Sequence, residues 1–189
     1  MAEFLTDIKT IRERAKTEID KGPVTDAYGA DLERVIQVCN EALATEIVCV
    51  LRYKRHYFTA TGIHAEAVAG EFLEHAQEEQ NHADMLAERI VQLGGEPDFN
   101  PDTLATRAHA EYAGSLDLVE MTKEDLVAER VAIMSYTEII QWIGDKDPTT
   151  KRVFETILAQ EEEHADDLRG LLERLPEELR RLNESPREV

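Results

Sequence analysis

Cysteine, tryptophan, proline and glycine are all scarce in this chain of 189 residues, numbering two, one, six and nine. Two thiols exclude a disulfide-rich scaffold. Cys39 and Cys49 lie ten residues apart on what reads as one helix. That separates them by about 15 Å, whereas a bridge needs Cα atoms within about 7 Å. Both are expected to be buried or half-buried free thiols. A redox or metal-related role stays open for Cys49, three residues past Glu46. Few glycines and prolines, with only 6% aromatics, disfavour an all-β fold and suit a helical one. No uncharged apolar run approaches the ~18–20 residues needed to cross a bilayer. The opening Met-Ala-Glu-Phe-Leu-Thr-Asp lacks a basic segment followed by an apolar core, so no secretion signal is read and the expected location is cytoplasmic. Positive charge is in deficit too, with 21 Lys and Arg against 40 Asp and Glu, a net of −19. Such a surface repels polyanions, which argues against nucleic acid as the main partner, and it attracts cations. Solubility alone would also account for it.

What the chain does contain is a repeat. Glu-x-x-His-Ala-Asp-x-Leu occurs at Glu79–Leu86 and again at Glu161–Leu168. Each copy has an upstream Glu-x-Val-x-(Val/Ile)-x-x-Tyr or closely similar segment, Glu46–Tyr53 and Glu129–Tyr136. The Glu-to-Glu intervals are 33 and 32 residues. Two similar halves therefore each offer one lone Glu and one Glu/His pair.

Periodicity and breakers divide the chain into three parts. Residues 1–30 read as a partly helical extension, with Phe4, Leu5, Ile8, Ile11 and Ala15 at helical spacing until Lys21-Gly22-Pro23. Residues 31–175 predict four long helices. The first runs from about Asp31 to Ala60, and the second from about His64 to Leu93, stopped by Gly94-Gly95. The third begins after a Thr122 cap and reaches about Ile143. The fourth starts at an Asp147 cap with Pro148 in its first turn and ends near Leu175. Short first–second and third–fourth connections imply antiparallel hairpins. The long segment from Gly94 to Met121 implies a crossover, with a short helix within Pro101–Tyr112, giving an up-down-down-up bundle. Residues 176–189 read as a short polar tail.

Helical period places the charged motif inside. The expected inward stripes are Val35, Cys39, Ala42, Glu46, Cys49/Val50, Tyr53 and Tyr57 on the first helix, and Val68, Phe72, Ala76, Glu79, His82/Ala83, Leu86, Ile90 and Leu93 on the second. The third gives Leu126, Glu129, Ile133, Tyr136, Ile140 and Ile143. The fourth gives Phe154, Ile157/Leu158, Glu161, His164/Ala165, Leu168 and Leu171/Leu172. Every motif Glu thus falls at a core position. A lone buried carboxylate is costly unless paired, protonated or metal-bound, and four at one level repel one another. Two divalent cations would neutralise them, and Glu and His at i and i+3 share one helix face. Glu46, Glu79, His82, Glu129, Glu161 and His164 are therefore the candidate ligands of two metal ions, with iron or manganese suited and zinc possible. Glu46 and Glu129, the lone glutamates, can bridge the ions. Tyr53, two turns past Glu46, is either a hydrogen-bond partner of a bridging carboxylate, an electron source or a packed core tyrosine. His75, one turn before Glu79, is expected to be partly exposed, the alternative being a ligand for a further ion in transit. Asp84 and Asp166 should point away. Trp142 is left between core, interface and electron donor.

At these residues, over about Asp31 to Leu175, the chain resembles the ferritin-like superfamily, most closely bacterioferritin and Dps-like miniferritins with a bacterioferritin-type di-iron site. The resemblance implies a ferroxidase: Fe(II) oxidised by hydrogen peroxide or dioxygen at a two-iron centre, with ferric mineral stored in a hollow homo-oligomer. It also matches Tyr53 to a tyrosine beside the bacterioferritin centre. Bacterioferritin's haem is held by a Met directly after the second helix's Glu; here that residue is Gln80, so no haem is expected. The longer crossover and the short tail favour a 12-mer over a 24-mer. Many miniferritins bind DNA through basic tails, but residues 1–30 carry five Lys and Arg against six Asp and Glu, so DNA binding is not expected. The alternatives are a di-iron or di-manganese enzyme without mineral storage (manganese catalase, rubrerythrin-like peroxidase or oxygenase) and a static structural metal site.

Overall fold

The computed structural model describes residues 7–17, 19–62 and 65–175. The expected polar tail at 176–189, and the helix start at His64, lie outside them. Every regular element among the described residues is helical: α1 (Ile8–Thr17), a 3-10 turn (Ile19–Lys21), α2 (Leu32–Thr59), α3 (Ala65–Gln92), α4 (Leu104–Arg107), α5 (Leu118–Ile143) and α6 (Pro148–Arg174).

The caps explain most of these limits. Asp31 accepts from the Arg34 N–H at the start of α2, and Asp147 accepts from the Thr150 N–H at 2.9 Å at the start of α6. Each satisfies an amide that has no partner within its helix. At the end of α3, Gly94 takes φ +82°, and the Gly95 N–H returns to the Ile90 carbonyl at 2.9 Å. Only glycine fits at 95, because a Cβ there would meet Ile36 Cγ2 at 2.7 Å. The third long helix starts earlier than its expected Thr122 cap. Asp117 caps it instead, accepting from Val119 and Glu120, while the Thr122 hydroxyl donates back to the Leu118 carbonyl inside the helix. Asp and Thr both cap helices, and here the carboxylate takes the end.

Cross-helix contacts set the topology. Asn40 meets the crossover at Asp98, Thr45 meets it at His109, Arg52 at Glu111 and Arg55 at Ser115. The crossover therefore runs alongside α2 in the same direction and delivers α5 at the far end. There Asp125 faces Arg52, while farther along α5 Tyr136 reaches back to Glu46, so α5 is antiparallel to α2. Arg89 meets Thr150 and His75 meets Asp167, so α3 and α6 are antiparallel as well. The order is up-down-down-up, as expected.

Two apolar clusters fill the bundle ends. One gathers Val35, Leu43, Leu86, Ile90, Ile143 and Phe154, the other Val68, Phe72, Val119, Met121, Leu168 and Leu171. Each large apolar side chain buried this way contributes roughly 1.5–3 kcal/mol. Between the clusters lies a polar layer. The expected stripes of α2, α3 and α6 are largely buried, but α5 is rotated: Leu126, Ile133 and Ile140 are half-buried, and Asp125, Ala128 and Ala132 face inward. Small residues there let α5 approach its neighbours.

Candidate metal centre

Helix period carries each motif side chain into the polar layer. Glu46 comes from α2, Glu79 and His82 from α3, Glu129 from α5, and Glu161 and His164 from α6; none is more than 2% exposed. His82 Nδ1 lies 3.3 Å from Glu46, 3.4 Å from Glu79 and 3.2 Å from Glu161. His164 Nδ1 lies 3.5 Å from Glu79, 3.6 Å from Glu161 and 3.9 Å from Glu129.

These side chains form two overlapping ligand sets, Glu46/Glu79/His82/Glu161 and Glu79/Glu129/Glu161/His164, each with ligand atoms within 4.8 Å of one another. Glu79 and Glu161 belong to both. Glu46 and Glu129, the residues expected to bridge, each belong to one set only. Spacing puts Glu79 and His82 on one face of α3, but the two Glu79 oxygens face different imidazoles, Oε1 toward His164 and Oε2 toward His82.

The chemistry of the layer calls for cations. Glu79 Oε1, Glu129 Oε2, both Glu161 oxygens and His164 Nδ1 are buried without a hydrogen-bond partner, a costly arrangement unless something else binds them. Burial, followed by repulsion from Glu161 and Glu79, raises the Glu46 carboxyl well above its usual range. Burial, followed by repulsion from Glu79 and Glu161, does the same to Glu129. For Glu79 burial would raise the carboxyl too, but its contacts with Glu46, His164 and His82 hold it low. Burial by itself would strip the proton from His82 and His164, yet the surrounding carboxylates keep both rings protonated well above the ordinary histidine range. Without metal, protons on Glu46, Glu129 and both imidazoles thus balance the layer. Two divalent ions carry the same charge, so the residues present fit a pair of cations.

The outer ring nitrogens are held across the bundle. The Gln160 amide oxygen accepts from His82 Nε2 at 3.0 Å, and Glu78 sits 2.8 Å from His164 Nε2. This leaves Nδ1 of each ring directed inward. The sequence reading missed Glu78 and Gln160. Their signal was available, because each immediately precedes the motif Glu of its half.

Tyr53 on α2 hydrogen-bonds Glu129 on α5, and Tyr136 on α5 hydrogen-bonds Glu46 on α2. Burial and the neighbouring carboxylates push both phenols up, so both keep their protons and donate. Tyr53 is thus a carboxylate partner.

His75 departs from expectation. It is 1% exposed, stacked on His164 with ring centroids 4.1 Å apart, and its Nδ1 is 3.2 Å from the Tyr53 hydroxyl. Burial, followed by His164, pushes this ring down to about 3. Packing against α6 covers it, which helical period along α3 alone does not reveal. Asp84 and Asp166 are exposed, as expected, and Trp142 is 44% exposed, outside the core. Cys39 and Cys49 are buried free thiols; Cys49 Sγ accepts from Arg52 at 3.5 Å. Arg52 also donates to the buried Asp125 at 2.7 Å, and His56 lies 2.9 Å from the same carboxylate. That three-residue network also went unread. Its signal was Asp125 on the buried stripe one turn before Glu129.

Residues 36–177 match the model of the ferritin-like domain. This chain belongs to the ferritin-like family. A DNA protection during starvation protein of Pyrococcus furiosus is 34% identical over 145 residues, covering 75% of this chain and 78% of that one. The bacterioferritin of Brucella melitensis is 33% identical over 144 residues, covering 75% and 84%. Among solved structures, a dodecameric thioferritin, the bacterioferritin-related protein from Bacteroides fragilis, superposes with a TM-score of 0.73 at 32% identity, covering 94% of this ferritin-like chain and 99% of its own. Among the described residues no helix is long and apolar enough to cross a membrane.

Proposed function

We propose that this ferritin-like protein is a cytoplasmic ferroxidase that takes up Fe(II), oxidises it with hydrogen peroxide or dioxygen, and stores the ferric product inside a hollow homo-oligomer. The observation that carries this reading is the pair of buried ligand sets sharing Glu79 and Glu161, with their orphaned oxygens. Fe(II) is the substrate. Glu46 and His82 would hold one ion, Glu129 and His164 the other, and Glu79 and Glu161 both. Manganese or zinc can occupy the same donors.

The acidic surface draws cations toward the bundle. Inside, the anionic carboxylates favour the more highly charged product, so each Fe(II) more readily gives up one electron. Hydrogen peroxide accepts two electrons and two protons and leaves as two waters. Tyr53 and Tyr136 hold Glu129 and Glu46 in place through their hydroxyls. Gln160 and Glu78 keep His82 and His164 turned inward. Burial of all six ligands shields the reaction from competing solvent ligands.

A shell of twelve subunits, in preference to twenty-four, is supported by the Bacteroides fragilis relative that is described as dodecameric and matches nearly the whole chain. Haem is left out of the reading, because haem iron takes His, Met, Cys or Tyr ligands and the Gln80 amide instead donates to Asp84. DNA binding is left out on the net charge of −19, although one relative is named for DNA protection.

Stopped-flow Fe(II) oxidation tests the proposal. The intact protein should show a fast phase and accumulate iron far beyond two per subunit, and Glu46→Ala and His82→Ala should lose the fast phase while staying folded. A fast phase in both variants would refute it. Peroxide turnover without mineral would identify a di-iron or di-manganese enzyme instead, and stable metal without oxidation a structural site.

A further inference from the structure

We propose that Glu71, His75 and Asp167 form a third divalent-cation site at the solvent-facing mouth of the dinuclear centre. It relies on the reading above only for the direction in which cations travel.

Tyr53 has a single hydroxyl proton and donates it to Glu129. The phenol oxygen can then only accept from His75, so His75 Nδ1 carries the ring hydrogen. The neutral ring then presents its lone pair at Nε2. That nitrogen has no hydrogen-bond partner among the described residues. Its polar neighbours are Glu71 Oε1 at 3.6 Å and Asp167 Oδ2 at 4.0 Å. Three acceptors converge with no proton among them, and a cation between them would relieve their repulsion.

The geometry suits one ion. The three donor atoms lie within 4.8 Å of one another, a span that a central ion with bonds of about 2.0–2.6 Å can bridge. Oxygen and imidazole donors select first-row divalent cations. The site has a buried and an open side, since His75 is 2% exposed at its side chain while Glu71 is 28% and Asp167 47% exposed. Inward, His75 forms another close set with Glu78 and His164, and His164 belongs to the dinuclear centre. Contiguous ligand sets thus lead from Asp167 at the surface to Glu161 inside.

The test uses the full-length assembly, stripped of metal, crystallised and soaked in Zn(II). Anomalous maps should show three ions per chain, the third between His75 Nε2, Glu71 and Asp167. E71Q/D167N keeps shape at two partly exposed positions and should lose the third ion while retaining the other two. Only two ions in the unaltered protein, or a third that persists in the variant, would overturn the proposal. Absence of the inner pair with the outer ion present would instead count against the dinuclear reading alone. In Fe(II) oxidation the variant should slow several-fold at limiting Fe(II) and match the unaltered protein at saturating Fe(II). Equal rates at limiting Fe(II) would overturn the delivery role.

Discussion

Tyr53 donates its hydroxyl to Glu129, 76 positions later in the chain and on the opposite helix pair. Tyr136 repays this toward Glu46 in the reverse direction. Each half of the repeat therefore orients the lone glutamate of the other, so the tyrosine and glutamate that share a motif do not bond each other.

Tyr53→Phe and Tyr136→Phe should each leave one buried carboxylate oxygen unpartnered. We expect a loss of about 1–3 kcal/mol in metal-free stability for each, measured by denaturant unfolding. Tyr53→Phe should also free His75 Nδ1, which Tyr136→Phe leaves untouched. Unchanged midpoints in both variants would show that the phenols do not position the carboxylates.

Sharing of Glu79 and Glu161 predicts unequal mutants. Glu46→Ala removes a ligand from one set and should reduce the dinuclear centre from two tightly bound ions to one per chain, read by calorimetric titration with Zn(II). Glu79→Ala removes a ligand from both sets and should weaken both steps. The reverse ranking would restore the lone glutamates as the bridging pair.

Metal uptake should release protons, because the metal-free layer raises Glu46, Glu129, His82 and His164 above their ordinary ranges and a bound ion displaces the protons they hold. Affinity should accordingly fall as pH falls. Calorimetry in buffers of different ionisation enthalpy counts the protons, and a pH-independent affinity would contradict the charge balance.

Asp147 offers a separate pH test. Burial would raise its carboxyl, but the Thr150 hydroxyl and N–H, Tyr28 and Arg89 outweigh it and hold it below its ordinary value. A carboxylate depressed in the folded state stabilises above the unfolded value of about 3.9 and loses that contribution as pH falls through the folded one. Asp147→Asn should therefore be less stable than the parent by a constant margin at pH 5–8, narrowing below about pH 4. At neutral pH the margin should be about 3–5 kcal/mol, because Arg89, 7% exposed, loses its buried partner. A margin that widens with acid would reverse the sign.

Much of this was legible in one dimension. Asp31, Asp147 and Gly94-Gly95 marked helix ends because caps act through neighbouring backbone. Glu46, Glu79, Glu129 and Glu161 were placed inside because 3.6-residue periodicity assigns each a face. The repeated Glu-x-x-His then pointed to cations, since two divalent ions can neutralise four buried carboxylates at one level. The start of α5 was misread where Asp117 and Thr122 offered competing caps. The inward face of α5 was misread because Ala128 and Ala132 bury as well as the larger Ile133 and Ile140.

Linear order therefore decided the number of long helices, the inward faces of α2, α3 and α6, and which six side chains are candidate ligands, all properties of a helix taken by itself. The packing of helices decided which glutamates are shared, which tyrosine meets which carboxylate, and that His75 is buried against His164. Those depend on distances across the bundle, and spacing along one helix sets a direction without saying what stands opposite.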